Sequence, residues 1–319
     1  MRELVISKYE AGQRFDKFLA KYMELAPKSF FYKMMRKKNI TLNGKKAAGN
    51  EKLEKGDTVK LFLSEETIEG FREKKKRAVH TGAKLDILYE DEQVMLINKP
   101  AGMLSQKAEK GDISMVEHLI SHLLDTGEVT EEMLKTFRPS LCNRLDRNTS
   151  GIVAAGKTLQ GLQMLSGLFK ERTLHKYYLC IVKGVIKEEQ DVRGWLLKNE
   201  KTNQVRIFKN ETKDARPIHT KYRPLADNGQ ETLLEIELLT GRTHQIRAHL
   251  AHIGTPILGD TKYGNMRENR DRHCKYQLLW AYQITLEPYP DTCLSDLNGM
   301  TIRTAVPSFV TKEFPTVSI

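Results

Sequence analysis

The sequence has little that would cross-link it or anchor it. Its four cysteines, Cys142, Cys180, Cys274 and Cys293, are far apart and form no C-x-x-C pair, which leaves neither a disulfide frame nor a zinc site and points to reduced thiols. No apolar run approaches the roughly 20 residues that a membrane span needs, and residues 1–8 lack the apolar core of a signal peptide. A Gly-rich phosphate loop, a dinucleotide fingerprint and an H-E-x-x-H pair are all missing. His244, His249 and His252, at i, i+5 and i+8, do not share one helical face, so no metal site is expected. Acid is also scarce: 41 Asp and Glu stand against 52 Lys and Arg, a net charge of +11. That excess favours a polyanionic partner. Without a long basic amphipathic helix or a lipidation motif, nucleic acid is a better fit than a membrane. A soluble, cytoplasmic protein is expected, with monomer as the default.

What is present is globular. With 319 residues, 39% of them apolar and 29% charged, the chain can fill two domains of ordinary size. Phe15, Phe18, Leu19, Tyr22 and Met23 fall at helical spacing and predict an amphipathic helix. Pro27 breaks it, and Ser29 is placed to cap a second helix over residues 30–38. Ile40-Thr41-Leu42 runs into Asn43-Gly44, a strong hairpin signal, and Val59, Leu61 and Leu63 alternate in a later strand. From Lys28 to Lys46 there are seven basic residues, Lys28, Lys33, Arg36, Lys37, Lys38, Lys45 and Lys46, and no acid. Most charge runs are solvated surface, but an acid-free run across a helix and a hairpin fits phosphate contact. Residues 65–84, low in apolar content and with Lys74-Lys75-Lys76 between Arg72 and Arg77, read as a basic linker.

From residue 85 the pattern changes. Ile87-Leu88-Tyr89 and Val94-Met95-Leu96-Ile97 predict neighbouring strands, closed by the turn Asn98-Lys99-Pro100-Ala101-Gly102, in which Lys99 reads as a surface side chain. Residues 115–124 and 158–169 fit helices, with Thr158 available as a cap for the latter. Residues 176–184 and 233–238 read as strands, as do 278–281 and 284–286. Ile246, Leu250 and Ile253 form a helical stripe, with Arg247 at its edge. Strands dominate without regular β-α-β alternation, so the fold class expected is α+β, a mainly antiparallel mixed sheet with helices packed on it.

The stretch Asn143-Arg144-Leu145-Asp146-Arg147-Asn148-Thr149-Ser150-Gly151 carries the chemistry. Asn, Ser, Thr and Gly are loop residues, and Ile152-Val153-Ala154-Ala155 behind them reads as a buried strand. A carboxylate is thus presented beside the core between two guanidiniums, which favour its ionised form. Such a group suits a nucleophile or an electrostatic stabiliser. It equally suits a structural Asp that closes a turn by pairing with Arg144 or Arg147.

Taken whole, the stretch resembles the first motif of the RluA-type pseudouridine synthases, Arg-Leu-Asp-x-x-Thr-Ser-Gly. Lys176-x-Tyr178 with its apolar run and Gly184 resembles the second, and Thr240-Gly241-Arg242-Thr243-His244-Gln245-Ile246-Arg247 the third. Lys99-Pro100-x-Gly102 and Gly259-Asp260-x-x-Tyr263-Gly264 continue the pattern. Residues 12–64 resemble the small RNA-binding domain named after small-subunit ribosomal protein four. The division implied is residues 1–64, a linker over 65–84, and a catalytic domain over 85–319.

The resemblance implies that the protein isomerises uridine in RNA without a cofactor, on a base flipped out of its stack. It implies Asp146 as the acting carboxylate, attacking C1′ or taking a proton from the sugar, with Arg247 paired to it. It implies Tyr178 packed on the uracil near C5, and Arg144 filling the space that the base vacates. The family most often has His before Arg-Leu-Asp; Asn143 stands there, and no role is carried onto it. Large-subunit ribosomal RNA is the expected substrate, with transfer RNA as the alternative. A non-catalytic ribosome-assembly factor would explain the charge but leave Asp146, Tyr178 and Arg247 unused. A hydrolase using the same acid would release uracil or cut the strand.

Overall fold

The computed structural model describes residues 1–72, 80–288 and 292–319. Near the N-terminus, β1 (Arg2–Val5), β2 (Ile40–Leu42), β3 (Lys45–Lys46) and β4 (Thr58–Leu61) form a four-stranded sheet in the order β1-β4-β2-β3. Helices α1 (Phe15–Tyr22), α2 (Lys28–Arg36) and α3 (Glu65–Gly70) pack on it. Their shared core holds Phe15, Phe18, Leu19, Tyr22 and Met23, the five residues at helical spacing, against Phe31, Val59, Leu61 and Ile68. The β2–β3 turn has Asn43 at φ 50° and Gly44 at φ 71°, the two left-handed positions that a tight hairpin requires.

Helix α2 and residues 65–70 differ from what the sequence suggests. Helix α2 starts at Lys28 with Pro27 as its N-cap, not Ser29; proline's fixed φ suits the entry to a helix, where an N–H would have no intrahelical partner. It also ends at Arg36, with Lys38 left-handed at φ 59°, so Lys37 and Lys38 lie beyond the helix. Residues 65–70 are helical rather than linker: the Ser64 side chain accepts from Thr67 N–H, Glu65 and Glu66 occupy the first turn, and Ile68 is fully buried. A hydroxyl cap and acids at the positive helix end favour that start. The run Lys74 to Arg77 lies outside the described residues.

The large sheet comprises β5 (Ile87–Glu90), β6 (Val94–Lys99), β7 (Ser140–Leu141), β8 (Ser150–Gly156), β9 (Leu174–Lys183), β10 (Gln190–Asn199), β11 (Gln204–Phe208), β12 (Arg216–Asp227), β13 (Glu231–Leu238), β14 (Leu279–Leu286) and β15 (Thr301–Arg303). Its order is β11-β10-β12-β13-β9-β14-β8-β6-β5, with β15 on β14 and β7 on β8. Among the described residues every pairing is antiparallel except β14 with β8, so the α+β reading holds. The two late strands expected at 278–281 and 284–286 are one strand, β14, with a register shift between Ala281 and Gln283.

Both faces of the sheet are buried. On one, Met95, Ile97, Val153, Tyr178, Cys180, Ile236 and Ala281 meet helix α4 (Met115–Asp125) and helix α6 (Gln245–His252) through Leu119, Leu123, Ile246 and Leu250. On the other, Val94, Leu96 and Ile152 meet helix α5 (Leu159–Glu171), capped by Thr158 as expected, while Leu179 and Ile181 meet helix α8 (Ser308–Glu313) through Val310. Helix α7 (Met266–Asp271) follows the loop after α6. Ile253, placed on the α6 stripe from sequence, is 42% exposed, just past the helix end.

Candidate active site

Strand register brings the motif-bearing stretches of loop and strand together at one end of the sheet. Ala281 of β14 lies opposite Gly151 on one side and opposite Tyr178 on the other. The approach is close: Gly151 sits at φ +112°, and a β-carbon there would stand 2.1 Å from the Ala281 carbonyl oxygen. Only glycine tolerates both conditions. The loop that enters β8 at Ser150 is thereby seated across one strand from Tyr178.

That loop is held at every turn. Leu145 drops into the core, and its N–H and carbonyl both bond the buried Ser105 hydroxyl. Thr149 N–H donates to the Asp146 carbonyl, and Gln277 Nε2 donates to the Thr149 hydroxyl at 3.0 Å. Asn143, to which no role was assigned, ties the loop to β8 by accepting from Ala154 N–H at 2.8 Å and donating to the Ile152 carbonyl. Lys99 is fully buried, where its place in a Pro/Gly turn suggests a surface side chain. Its Nζ donates to the carbonyls of Pro100 (2.9 Å), Met103 (2.9 Å) and Arg147 (3.2 Å). Burial pushes this amine down to about 8, against a smaller upward pull from Asp146.

With Leu145 anchored, Asp146 projects outward, its side chain 26% exposed. Its partners are Arg247 of α6 and His244 at that helix's N-cap, not its neighbours in sequence. Arg247 Nη1 donates to Oδ2 at 2.8 Å, and His244 Nε2 lies 3.8 Å from the same oxygen. Arg144 and Arg147 are both exposed, and Arg147 Nε donates to the Gly102 carbonyl. The pairing of Asp146 with Arg144 or Arg147, left open from sequence, is not the one adopted.

Arg247 is buried, where a stripe-edge arginine would be expected near the surface. The reason is a second acid. Asp260, fully buried, accepts from Arg247 Nε at 2.7 Å and Nη2 at 2.9 Å. Its Oδ1 also accepts the N–H groups of Lys262 and Tyr263. Burial works against the guanidinium's charge, but Asp260 and Asp146 together hold it above its ordinary range. Burial likewise pushes the Asp260 carboxyl up, and the Arg247 contact and backbone N–H groups outweigh it and hold the carboxyl down. Gln245 fixes the start of α6, accepting from Thr240 Oγ1 and Arg242 N–H while its amide donates to Thr220.

Tyr178 completes the group. It is buried on the α6 side of the sheet, and burial, then the charge of Asp146, raise its hydroxyl above the ordinary tyrosine range. The phenol is therefore neutral at physiological pH. A separate cavity of about 500 Å³, lined by Trp280, Phe309, Arg272 and Lys275, opens on the opposite face of the sheet. The seven basic residues of the N-terminal unit do not join the Asp146 cluster: Lys28, Lys33, Arg36, Lys37, Lys38, Lys45 and Lys46 are exposed on or beside α2 and the β2–β3 hairpin.

The sequence matches the RNA pseudouridylate synthase family over residues 93–252, a span that contains Asp146, Tyr178 and Arg247. The chain belongs to this family. It is 35% identical over 266 residues to the ribosomal large subunit pseudouridine synthase C of Vibrio cholerae, covering 81% of this chain and 78% of that one. It is 31% identical over 279 residues to the protein of the same name from Escherichia coli, covering 84% and 81%. Among solved structures, human RNA pseudouridylate synthase domain containing 4 shares the fold at a TM-score of 0.53 and 22% identity, over 70% of this chain and 89% of that one. The synthase is thus an isomerase that acts on RNA. No described helix is long and apolar enough to cross a membrane.

Sequence reading missed three members of the synthase's cluster. In the sequence Asp260 and Tyr263 stand out only as parts of a loop pattern, and His244 only as a motif position and a candidate metal ligand, so none of the three carries an active-site role there. The one available signal was spacing: an acid and a tyrosine between glycines, shortly after the helix that carries Arg247.

Proposed function

We propose that this synthase converts uridine to pseudouridine in large-subunit ribosomal RNA, in the cytoplasm, with Asp146 as the group that acts on the sugar. The observation that carries this reading is the 2.8 Å pair between Arg247 Nη1 and Asp146 Oδ2 beside Tyr178. It supplies an oriented carboxylate, partly open to solvent, next to an aromatic ring. The reaction breaks the C1′–N1 bond and forms C1′–C5; C5 loses a proton and N1 gains one, so mass is unchanged. A stacked base cannot be turned over in place, so the uridine is extruded at a cost of a few kcal/mol. Arg144, exposed one residue before the Leu145 anchor, fills the space left behind.

Attack of Asp146 on C1′, or removal of the C2′ proton, releases the base. The Tyr178 ring packs against the freed uracil while it turns. Because the phenol is neutral, its oxygen serves as a hydrogen-bonding partner near C5 and is not a preformed base. The seven-residue basic run fits contact with RNA backbone, which positions a substrate without reading its sequence. The names of the similar proteins and this basic unit favour ribosomal over transfer RNA.

The test is incubation with unmodified ribosomal RNA, followed by carbodiimide labelling and primer extension. New stops with the wild type that vanish with Asp146→Ala support the reading. Stops that persist in the variant, release of free uracil, or strand scission would end it.

A further inference from the structure

Tyr263 touches both side chains that face Asp146 Oδ2, Arg247 and His244. Its ring lies under the Arg247 guanidinium, 5.5 Å from centroid to Cζ, and edge-on to the His244 ring at 5.6 Å and 73°. Its hydroxyl has two partners: the N–H of Val205 in β11 at 2.9 Å and Nδ1 of His244 at 3.0 Å. A backbone N–H can only donate, so the hydroxyl oxygen accepts from Val205. Its single proton is then free for His244 Nδ1. A neutral imidazole that accepts at Nδ1 carries its own proton on Nε2. Nε2 is the atom that faces Asp146 Oδ2 at 3.8 Å.

We propose that Tyr263 is a positioning residue that locks His244 in its Nε2–H form, so that His244 and Arg247 both address Oδ2 of Asp146 and leave Oδ1 free for the sugar. The inference rests on the reading of Asp146 as the acting group. The imidazole is buried, and burial lowers its proton affinity against the opposing pull of Asp146, so the neutral ring that the chain of donors requires is also the favoured one. The 3.8 Å gap is too long for a hydrogen bond; contacts of this kind tighten when substrate is bound. One hydroxyl thereby links an outer strand, the turn that holds Asp260, and the rotational setting of the carboxylate.

Nitrogen-15 spectra of the full-length protein labelled on histidine test this, with His244 assigned from the signal lost in His244→Gln. Wild type is expected to show His244 neutral and protonated on Nε2 at pH 7.5, and Tyr263→Phe to shift it toward the Nδ1–H form. Turnover of Tyr263→Phe should fall about tenfold, the value of one well-placed hydrogen bond, with KM changed less than about twofold. Adding Tyr263→Phe to His244→Gln should cost nothing more, because the two act in series. An Nδ1–H or doubly protonated His244 in wild type overturns the proposal, as do additive losses in the double variant or unchanged turnover in Tyr263→Phe. The wild-type spectrum decides alone if Tyr263→Phe does not fold. Activity surviving Asp146→Ala would instead remove the underlying reading and leave the tautomer result standing.

Discussion

Arg247 holds Asp260 and Asp146 at once, Nε and Nη2 on the first and Nη1 on the second. The two acids differ in setting: Asp260 is fully buried and Asp146 is partly open. The guanidinium is therefore a rigid spacer between a structural anchor and the group presented to substrate. Lysine carries the same charge but has no fork to span two carboxylates. Arg247→Lys should lower turnover by about 100-fold, the usual cost of misplacing a catalytic group by an ångström, while binding of unmodified RNA stays near wild type. Single-turnover rates against filter-binding affinity check this; an equal loss in both would assign Arg247 to binding.

Asp260 should matter first to stability. Its carboxyl sits below its ordinary value of 3.8, so the unfolded chain takes up a proton there before the folded one does. The stability it contributes is present above about pH 4 and is lost as pH falls through the folded value. Asp260→Asn breaks a buried pair and should cost about 3–5 kcal/mol at pH 7. The gap between variant and wild type should narrow below pH 4. Urea unfolding at pH 7 and pH 3 tests this, and a gap that does not close with acid would refute it.

Much of this site was legible because its signals are local. The Asn-Thr-Ser-Gly composition after Asp146 marks a loop, the apolar run 152–155 marks the strand behind it, and Asn43-Gly44 marks a hairpin that forms as expected. What stayed hidden depends on partners distant in sequence. The burial of Arg247 follows from Asp260, thirteen residues away, and no periodicity within α6 encodes it. Lys99 looks like a turn lysine until the Arg147 carbonyl, 48 residues on, arrives beside it. The order of strands was equally out of reach, since β14 inserts between β9 and β8 after a separation of about 100 residues or more from each.

Lys99 gives a second pH signature, of the same sense but at alkaline pH. The folded amine titrates at about 8, below the roughly 10.4 of an exposed lysine. Between those values the unfolded chain binds more protons, so this group adds stability as pH rises. Lys99→Met removes that gain and leaves the carbonyls of Pro100, Met103 and Arg147 without their donor, a loss on the order of 3 kcal/mol. The deficit relative to wild type should be larger at pH 9.5 than at pH 7.5 in chemical unfolding. A deficit constant with pH would mean that three carbonyl acceptors keep the ammonium charged despite its burial.

The basic N-terminal unit is best tested through salt. Arg36, Lys37, Lys38, Lys45 and Lys46 are all exposed, and no acid pairs with any of them among the described residues, so their charge is available to phosphates. Each phosphate neutralised releases condensed counterions, which makes the logarithm of affinity fall linearly with the logarithm of salt concentration, by about 0.7–0.9 per contact. Replacing Arg36, Lys37 and Lys38 together by Ala should reduce that slope by about 2 and weaken binding most at low salt. Turnover at saturating RNA should stay near wild type, because none of the three joins the Asp146 cluster. Affinity titrations from 50 to 300 mM salt, roughly the range over which such slopes are read, provide the measurement. A slope equal to that of wild type would move the RNA contact off this face.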